Sequence, residues 1–140
     1  MSDRAELQAL IDLEAIRNLA RCYADCVWRR DADGAVALFM EDGVMDLGDR
    51  PPLEGHQAML EAYRPSFAES EFKPFVHNHV VDLQGDVATG RCYLDLKAIV
   101  DGNLMEGWGF YEDHYARHAQ GWRFQSRRLN LVHFSEASPD

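Results

Sequence analysis

Basic residues are scarce in this chain: 14 lysines and arginines face 24 aspartates and glutamates over 140 residues, a formal net charge of -10. Nucleic acids and anionic membranes select basic surfaces, so this balance argues against both as partners. No uncharged apolar run approaches the ~18 residues that a membrane span needs. The start, Met1-Ser2-Asp3-Arg4-Ala5-Glu6, has no basic flank followed by an apolar stretch, so no secretion signal is expected. Three cysteines, Cys22, Cys26 and Cys92, are odd in number and lack the spacing of a disulfide framework. They fit reduced thiols in a cytoplasmic protein. Repeats, linkers and low-complexity tracts are missing too. With the length, this predicts one domain over 1–140, fraying at 1–2 and 136–140.

What is present is ordered by period. Asp3 and Glu6 stand at capping-box spacing ahead of Leu7, Leu10, Ile11, Leu13, Ile16, Leu19, Ala20, Tyr23 and Val27, which predicts a first helix to about residue 28. Its second half turns Ile16, Leu19, Ala20, Tyr23 and Val27 inward and Arg17, Arg21 and Asp25 outward, with Asp25 as the partner of Arg21. Asp31 or Asp33 caps a short helix through 35–40, which Glu41-Asp42-Gly43 stops, and a strand over 44–47 follows. A third helix starts after Gly55 and His56 and ends at Pro65. The period then becomes two. Long strands are predicted over 72–83, 87–100, 104–118 and 122–134, with turns at Gln84-Gly85-Asp86, Asp101-Gly102-Asn103 and Gln120-Gly121. Helices followed by an antiparallel meander define an α+β class, in which strands this long curve around the N-terminal helices.

The first of those strands, Phe75-Val76-His77-Asn78-His79-Val80-Val81, carries two imidazoles in an apolar setting. Strict alternation sends His77 and His79 to one face and Asn78 to the other. Buried imidazoles need hydrogen bonds, so the run fits a general base with its partner in a reactive pocket, or a core pair bonded to backbone or Tyr93. His-x-His also offers two metal ligands, but no third ligand is evident and no metal is assigned. Tyr23, on an inward helix face, fits either a hydrogen-bond donor or a packing residue. Cys22 and Cys26, one turn apart, read as small packing residues. On the 104–118 strand Glu106, Trp108, Phe110, Glu112 and His114 share one face, with Gly107, Gly109, Tyr111, Asp113 and Tyr115 on the other. Trp28, Trp108 and Phe110 could wall a flat ligand, and Glu112 could supply a carboxylate. Alternatively Glu112, Asp113, His114, Arg117 and His118 form a solvated or interface surface with the arginines of the last strand.

Several stretches follow in an order that carries a resemblance. They are Tyr23 to Phe39 followed by Glu41-Asp42-Gly43-Val44, the loop Pro51-Pro52-Leu53-Glu54-Gly55, the strand ending in Gly85-Asp86, and the closing Gly121-Trp122-Arg123-Phe124. Over nearly its whole length the chain resembles the SnoaL-like branch of the nuclear transport factor two-like superfamily. The resemblance implies a cone-shaped α+β barrel open at one end, a hydrophobic small-molecule guest, and a homo-oligomer, dimer or trimer. For relatives such as ketosteroid isomerase and scytalone dehydratase it implies proton transfer without a cofactor. It sets Tyr23 where the isomerase has its oxyanion-hole tyrosine. The acids and bases do not follow: the dehydratase aspartate falls on Trp28 and its histidine near Pro74, while the isomerase acids fall on Leu47 and Phe110. The expectation is a cofactor-independent lyase or isomerase acting on a steroid, polyketide or aromatic compound. Tyr23, His77 and His79 would be catalytic, and Trp28, Leu47, Asn78, Trp108 and Phe110 would surround the substrate. The alternative is a non-catalytic binder or accessory subunit, like the small subunit of ring-hydroxylating dioxygenases.

Overall fold

The computed structural model describes residues 2–137. Helix α1 (Asp3–Trp28) is capped one residue earlier than the capping-box spacing suggests, because the Ser2 hydroxyl accepts the Ala5 N–H at 3.2 Å. Its buried stripe contains Ile16, Leu19, Ala20, Tyr23 and Val27 as expected, whereas Leu7, Leu10 and Ile11 in the first turns stay exposed. The outward charges pair differently from expectation: Asp25 takes Arg29, and Arg21 takes Glu14. Helix α2 (Ala32–Ala37) is capped by Asp31, which accepts the Gly34 N–H at 2.9 Å.

Strand β1 (Phe39–Asp46) begins five residues before the expected 44, since Phe39 buries its ring against Phe124 and the Phe124 N–H reaches Leu38 O at 2.9 Å. Glu41-Asp42-Gly43 is thus an irregularity inside a strand rather than a helix stop. After β2 (Leu53–Glu54), helix α3 (Gly55–Glu69) runs through Pro65 instead of ending there. Proline removes one helical hydrogen bond. The extra turn buries Phe67, which stacks on Tyr63 at 5.1 Å.

The meander follows the predicted bounds to within two residues: β3 (Glu71–Gln84), β4 (Val87–Val100), β5 (Asn103–His118) and β6 (Gly121–Glu136). Sheet order is β2-β1-β6-β5-β4-β3, antiparallel except that β1 runs parallel to β6. The edges β2 and β3 do not pair with each other, so the sheet is open and curved, not a closed barrel. Its bend has a local cause. Gly107 and Gly109 face inward where β6 comes so close that a Cβ on either would collide with the carbonyl oxygens of His133 or Asn130. Frayed ends were expected at 1–2 and 136–140. Ser2 caps α1, Glu136 is the last residue of β6, and the Ala137 N–H bonds Leu104 O at 2.9 Å; residues 1 and 138–140 lie outside the described part. No described helix is long and apolar enough to cross a membrane.

Candidate functional site

The buried face of α1, helix α3 and the inner face of the sheet leave a cavity of about 250 Å³. Its walls are mainly apolar, including Met45, Leu47, Leu96, Leu129 and Phe134, and Asp49 and Arg50 also line it, from the exposed loop after β1. Tyr23 from α1 and Tyr63 from α3 share the wall, their hydroxyl oxygens 2.6 Å apart. One of the two must donate to the other, which leaves a single O–H free for a guest. Tyr111 of β5 adds a third phenol, and its hydroxyl makes no hydrogen bond among the described residues. Burial pushes Tyr23, Tyr63 and Tyr111 above the ordinary phenol range, so all three are neutral donors near pH 7.

Behind this wall lies a fully buried ion pair. Arg127 Nε reaches Asp113 Oδ1 at 2.9 Å, and both side chains have no exposed surface. The guanidinium carbon sits 3.5 Å from the Tyr111 ring centre, 4.5 Å from that of Phe124 and 4.7 Å from that of Tyr23. Burial disfavours the charge, but Asp113 and the aromatic faces more than offset this, so Arg127 keeps its proton. Its Nη1 has no hydrogen-bond partner. Asp113 Oδ2 also accepts from the Tyr115 hydroxyl at 2.9 Å, and Tyr115 Oη lies 2.8 Å from His79 Nε2.

The histidines do not share a face. A bulge between Val76 and His79 inserts one extra residue opposite β4, breaking the alternation. His77 therefore turns to the exposed face, where Nε2 meets Asp95 Oδ2 at 2.8 Å, and His79 turns inward to Tyr115 rather than Tyr93. Neither lines the cavity, and Asn78 is exposed on the bulge. Burial, opposed by Asp113 and aided by Arg127, Arg17 and Arg21, pushes the His79 pKa down to about 4.

Of the expected substrate contacts only Leu47, with Tyr23, is on the cavity wall. Trp108 is 52% exposed on the opposite face of the sheet, stacked on His133, and Phe110 lies on that same face beside Tyr93. Glu112 is exposed there too, accepting from Asn130 Nδ2 at 3.1 Å. Asp113 is a correction: it is a core group, not a surface one. Trp28 Nε1 donates to Pro74 O at 2.7 Å, so the two positions that resemblance pairs with a dehydratase aspartate and histidine are joined by an indole–backbone hydrogen bond. No group of three or more His, Cys, Asp or Glu side chains that could hold a metal ion occurs among the described residues.

Tyr63, Tyr111 and Arg127 were not anticipated at the site. Tyr111 was legible through alternation with Gly107 and Gly109. Arg127 was not, because a register shift beside Gln125 turns 127 and 129 inward in place of 126 and 128.

Comparison with known proteins agrees with this architecture. A protein from Novosphingobium aromaticivorans, provisionally named an aromatic ring hydroxylase, is 27% identical, with 91% of this chain and 94% of that one covered and a TM-score of 0.85. An NTF2-like protein with a cystatin-like fold from the same organism is 26% identical, covering 92% and 87%, with a TM-score of 0.80. The hexachlorocyclohexane dehydrochlorinase LinA-type3 from Novosphingobium barchaimii LL02 has a TM-score of 0.87 over 96% of each chain, but at 14% identity this is a likeness of fold alone. No curated protein matches. The SnoaL-like domain family matches residues 8–128, the span that holds both the cavity's tyrosines and the buried ion pair, and the chain belongs to that family.

Proposed function

We propose that this protein binds a small, mostly apolar molecule of about one substituted ring in the cavity and orients it through one hydrogen-bond acceptor. The observation that carries this reading is the Tyr23–Tyr63 hydroxyl pair in a mainly apolar wall, with one O–H of the pair left to give and the unpaired Tyr111 hydroxyl on the same wall. Size narrows the guest. A cavity of ~150 Å³ accommodates benzene, so about 250 Å³ suits one ring with substituents and is small for a four-ring steroid. Titration with cyclohexanone and its hydrocarbon counterpart methylenecyclohexane tests it. The ketone is expected to bind about five-fold or more tighter, one hydrogen bond being worth about 1 kcal/mol, and because either phenol alone still keeps a free O–H, it is the double variant Tyr23→Phe with Tyr63→Phe that should weaken the ketone much more than the hydrocarbon. Equal affinity for both, or no binding of either, would count against the proposal.

A second reading, cofactor-independent proton transfer of the lyase or isomerase type on the same guest, draws on the Arg127 guanidinium held against the Tyr23 and Tyr111 rings. A fixed positive charge there favours negative charge developing on a carbonyl oxygen at the phenols. Asp49 is the one carboxylate on the wall among the described residues and the candidate proton acceptor. Against it stands the Trp28–Pro74 contact in place of the familiar acid and base. Solvent deuterium exchange α to the ketone carbonyl, abolished in Asp49→Asn, would favour catalysis; no exchange above buffer leaves binding alone.

A further inference from the structure

Between α1 and the edge strand β3 lies a second depression, of about 330 Å³, that shares no lining residue with the apolar cavity. Arg17 and Arg21 line it from successive turns of the helix, and His77 and His79 from the strand at the bulge. Three basic side chains, Arg17, Arg21 and His79, meet at this hollow in a chain of net charge -10, while the His77 imidazole is turned to the other face by its bond to Asp95. Their counter-charges are mostly committed. Glu14 engages only Nη1 of Arg21, which leaves the other guanidinium donors of Arg21, and Asp113 behind His79 is held by Arg127. Arg17 makes no hydrogen bond or ion pair among the described residues, so its full set of donors is available.

The protonation of His79 follows from its neighbours. The Tyr115 hydroxyl gives its only hydrogen to the Asp113 carboxylate, so Tyr115 Oη must accept from His79 Nε2–H. Neutral His79 therefore carries its proton on Nε2 and keeps a lone pair on Nδ1. A site that combines arginine donors with one acceptor nitrogen suits an anion that still bears a proton. Hydrogen phosphate meets that description, since its unprotonated oxygens accept from Arg17 and its O–H donates to Nδ1. Sulfate and acetate at neutral pH offer acceptors only.

We propose that the α1–β3 hollow binds a small proton-bearing oxyanion of the phosphate class, held by Arg17 and Arg21 and hydrogen-bonded to His79 Nδ1. The test is nitrogen NMR of histidine-labelled full-length protein at pH 7, titrated separately with sodium phosphate, sulfate and acetate, with sodium chloride holding ionic strength constant. Phosphate is expected to move the His79 Nδ1 resonance saturably, with sulfate and acetate at least ten-fold weaker. Arg17→Gln should weaken phosphate ten-fold or more, and Lys97→Gln, on the opposite face of the sheet, should leave it unchanged. Because the Arg17 side chain has no partner to lose, its replacement is not expected to disturb folding, which far-ultraviolet circular dichroism checks; if Arg17→Gln fails to fold, Arg21→Gln carries the same test with the same expectation. Linear shifts common to all three salts, equal affinity for the three anions, or phosphate binding untouched in the folded arginine variant would each overturn the proposal.

Discussion

Asp12 is a buried carboxylate whose worth to the fold can be worked out and measured. It sits on the inner side of α1, 5% exposed, and receives Arg117 Nη1 and Nη2 at 3.0 and 2.8 Å, Gln8 Nε2 at 3.1 Å and Trp122 Nε1 at 3.2 Å. These contacts clamp the helix to the β5–β6 turn, through the end of β5 and the start of β6. The hydrogen bond from Arg117 lowers the Asp12 pKa most, partial burial works against it, and the balance brings it from 3.8 to about 2. At 1.36 kcal/mol for each pH unit, that difference corresponds to about 2 kcal/mol of stability. The sign follows from the direction: the folded state holds the proton less tightly than the unfolded chain, so the stabilisation is fully present above pH 4 and is lost as pH falls towards 2. Asp12→Asn keeps the shape and removes the charge. Urea unfolding of both proteins at pH 7, 4, 3 and 2 should show the variant about 2 kcal/mol less stable at pH 7, with the gap closing between pH 4 and 2. Other carboxylates titrate alike in the two proteins and cancel. A gap that stays constant down to pH 2 would mean that the Asp12 charge is not what stabilises the fold.

Other consequences can be checked the same way. Arg127→Met strands Asp113 in the core and should cost about 3–5 kcal/mol, and adding Asp113→Asn should recover part of that loss in thermal or urea unfolding. Tyr23→Phe and Tyr63→Phe each leave a buried hydroxyl alone and should cost about 1–3 kcal/mol singly; the double variant should cost clearly less than the sum, and additivity would deny the pairing. Gly107→Ala should prevent or severely weaken folding, because its methyl meets the His133 carbonyl. Gly85→Ala, with open space around it and a φ of +68°, should lose only about 1–2 kcal/mol.

Much of the fold was legible because its signals are periodic and uninterrupted. The inward stripe of α1 and the four meander strands are long enough that turn residues such as Gln84-Gly85-Asp86 mark their ends closely. The misreadings lie where tertiary contact outweighs local preference. Phe39 leaves a helical pattern to pair with Phe124, and α3 passes Pro65 because Phe67 has a core to enter. The site was harder to read for a specific reason: strand parity decides which side chains face inward, and a bulge reverses it without a mark in the sequence. One bulge separates His77 from His79, and another brings Arg127 in. Tyr23 was readable because a helix face spans several residues and tolerates such slips, as a strand face does not.

In the proposed binding mode the Tyr23–Tyr63 hydroxyl pair receives the polar atom of a one-ring guest. A crystal structure of the protein soaked with cyclohexanone addresses it most directly. The ring is predicted between Leu47 and Leu129, with its oxygen within about 3 Å of one of the two phenolic oxygens. A guest seated elsewhere, or one whose oxygen points away from both tyrosines towards Arg50, would contradict it.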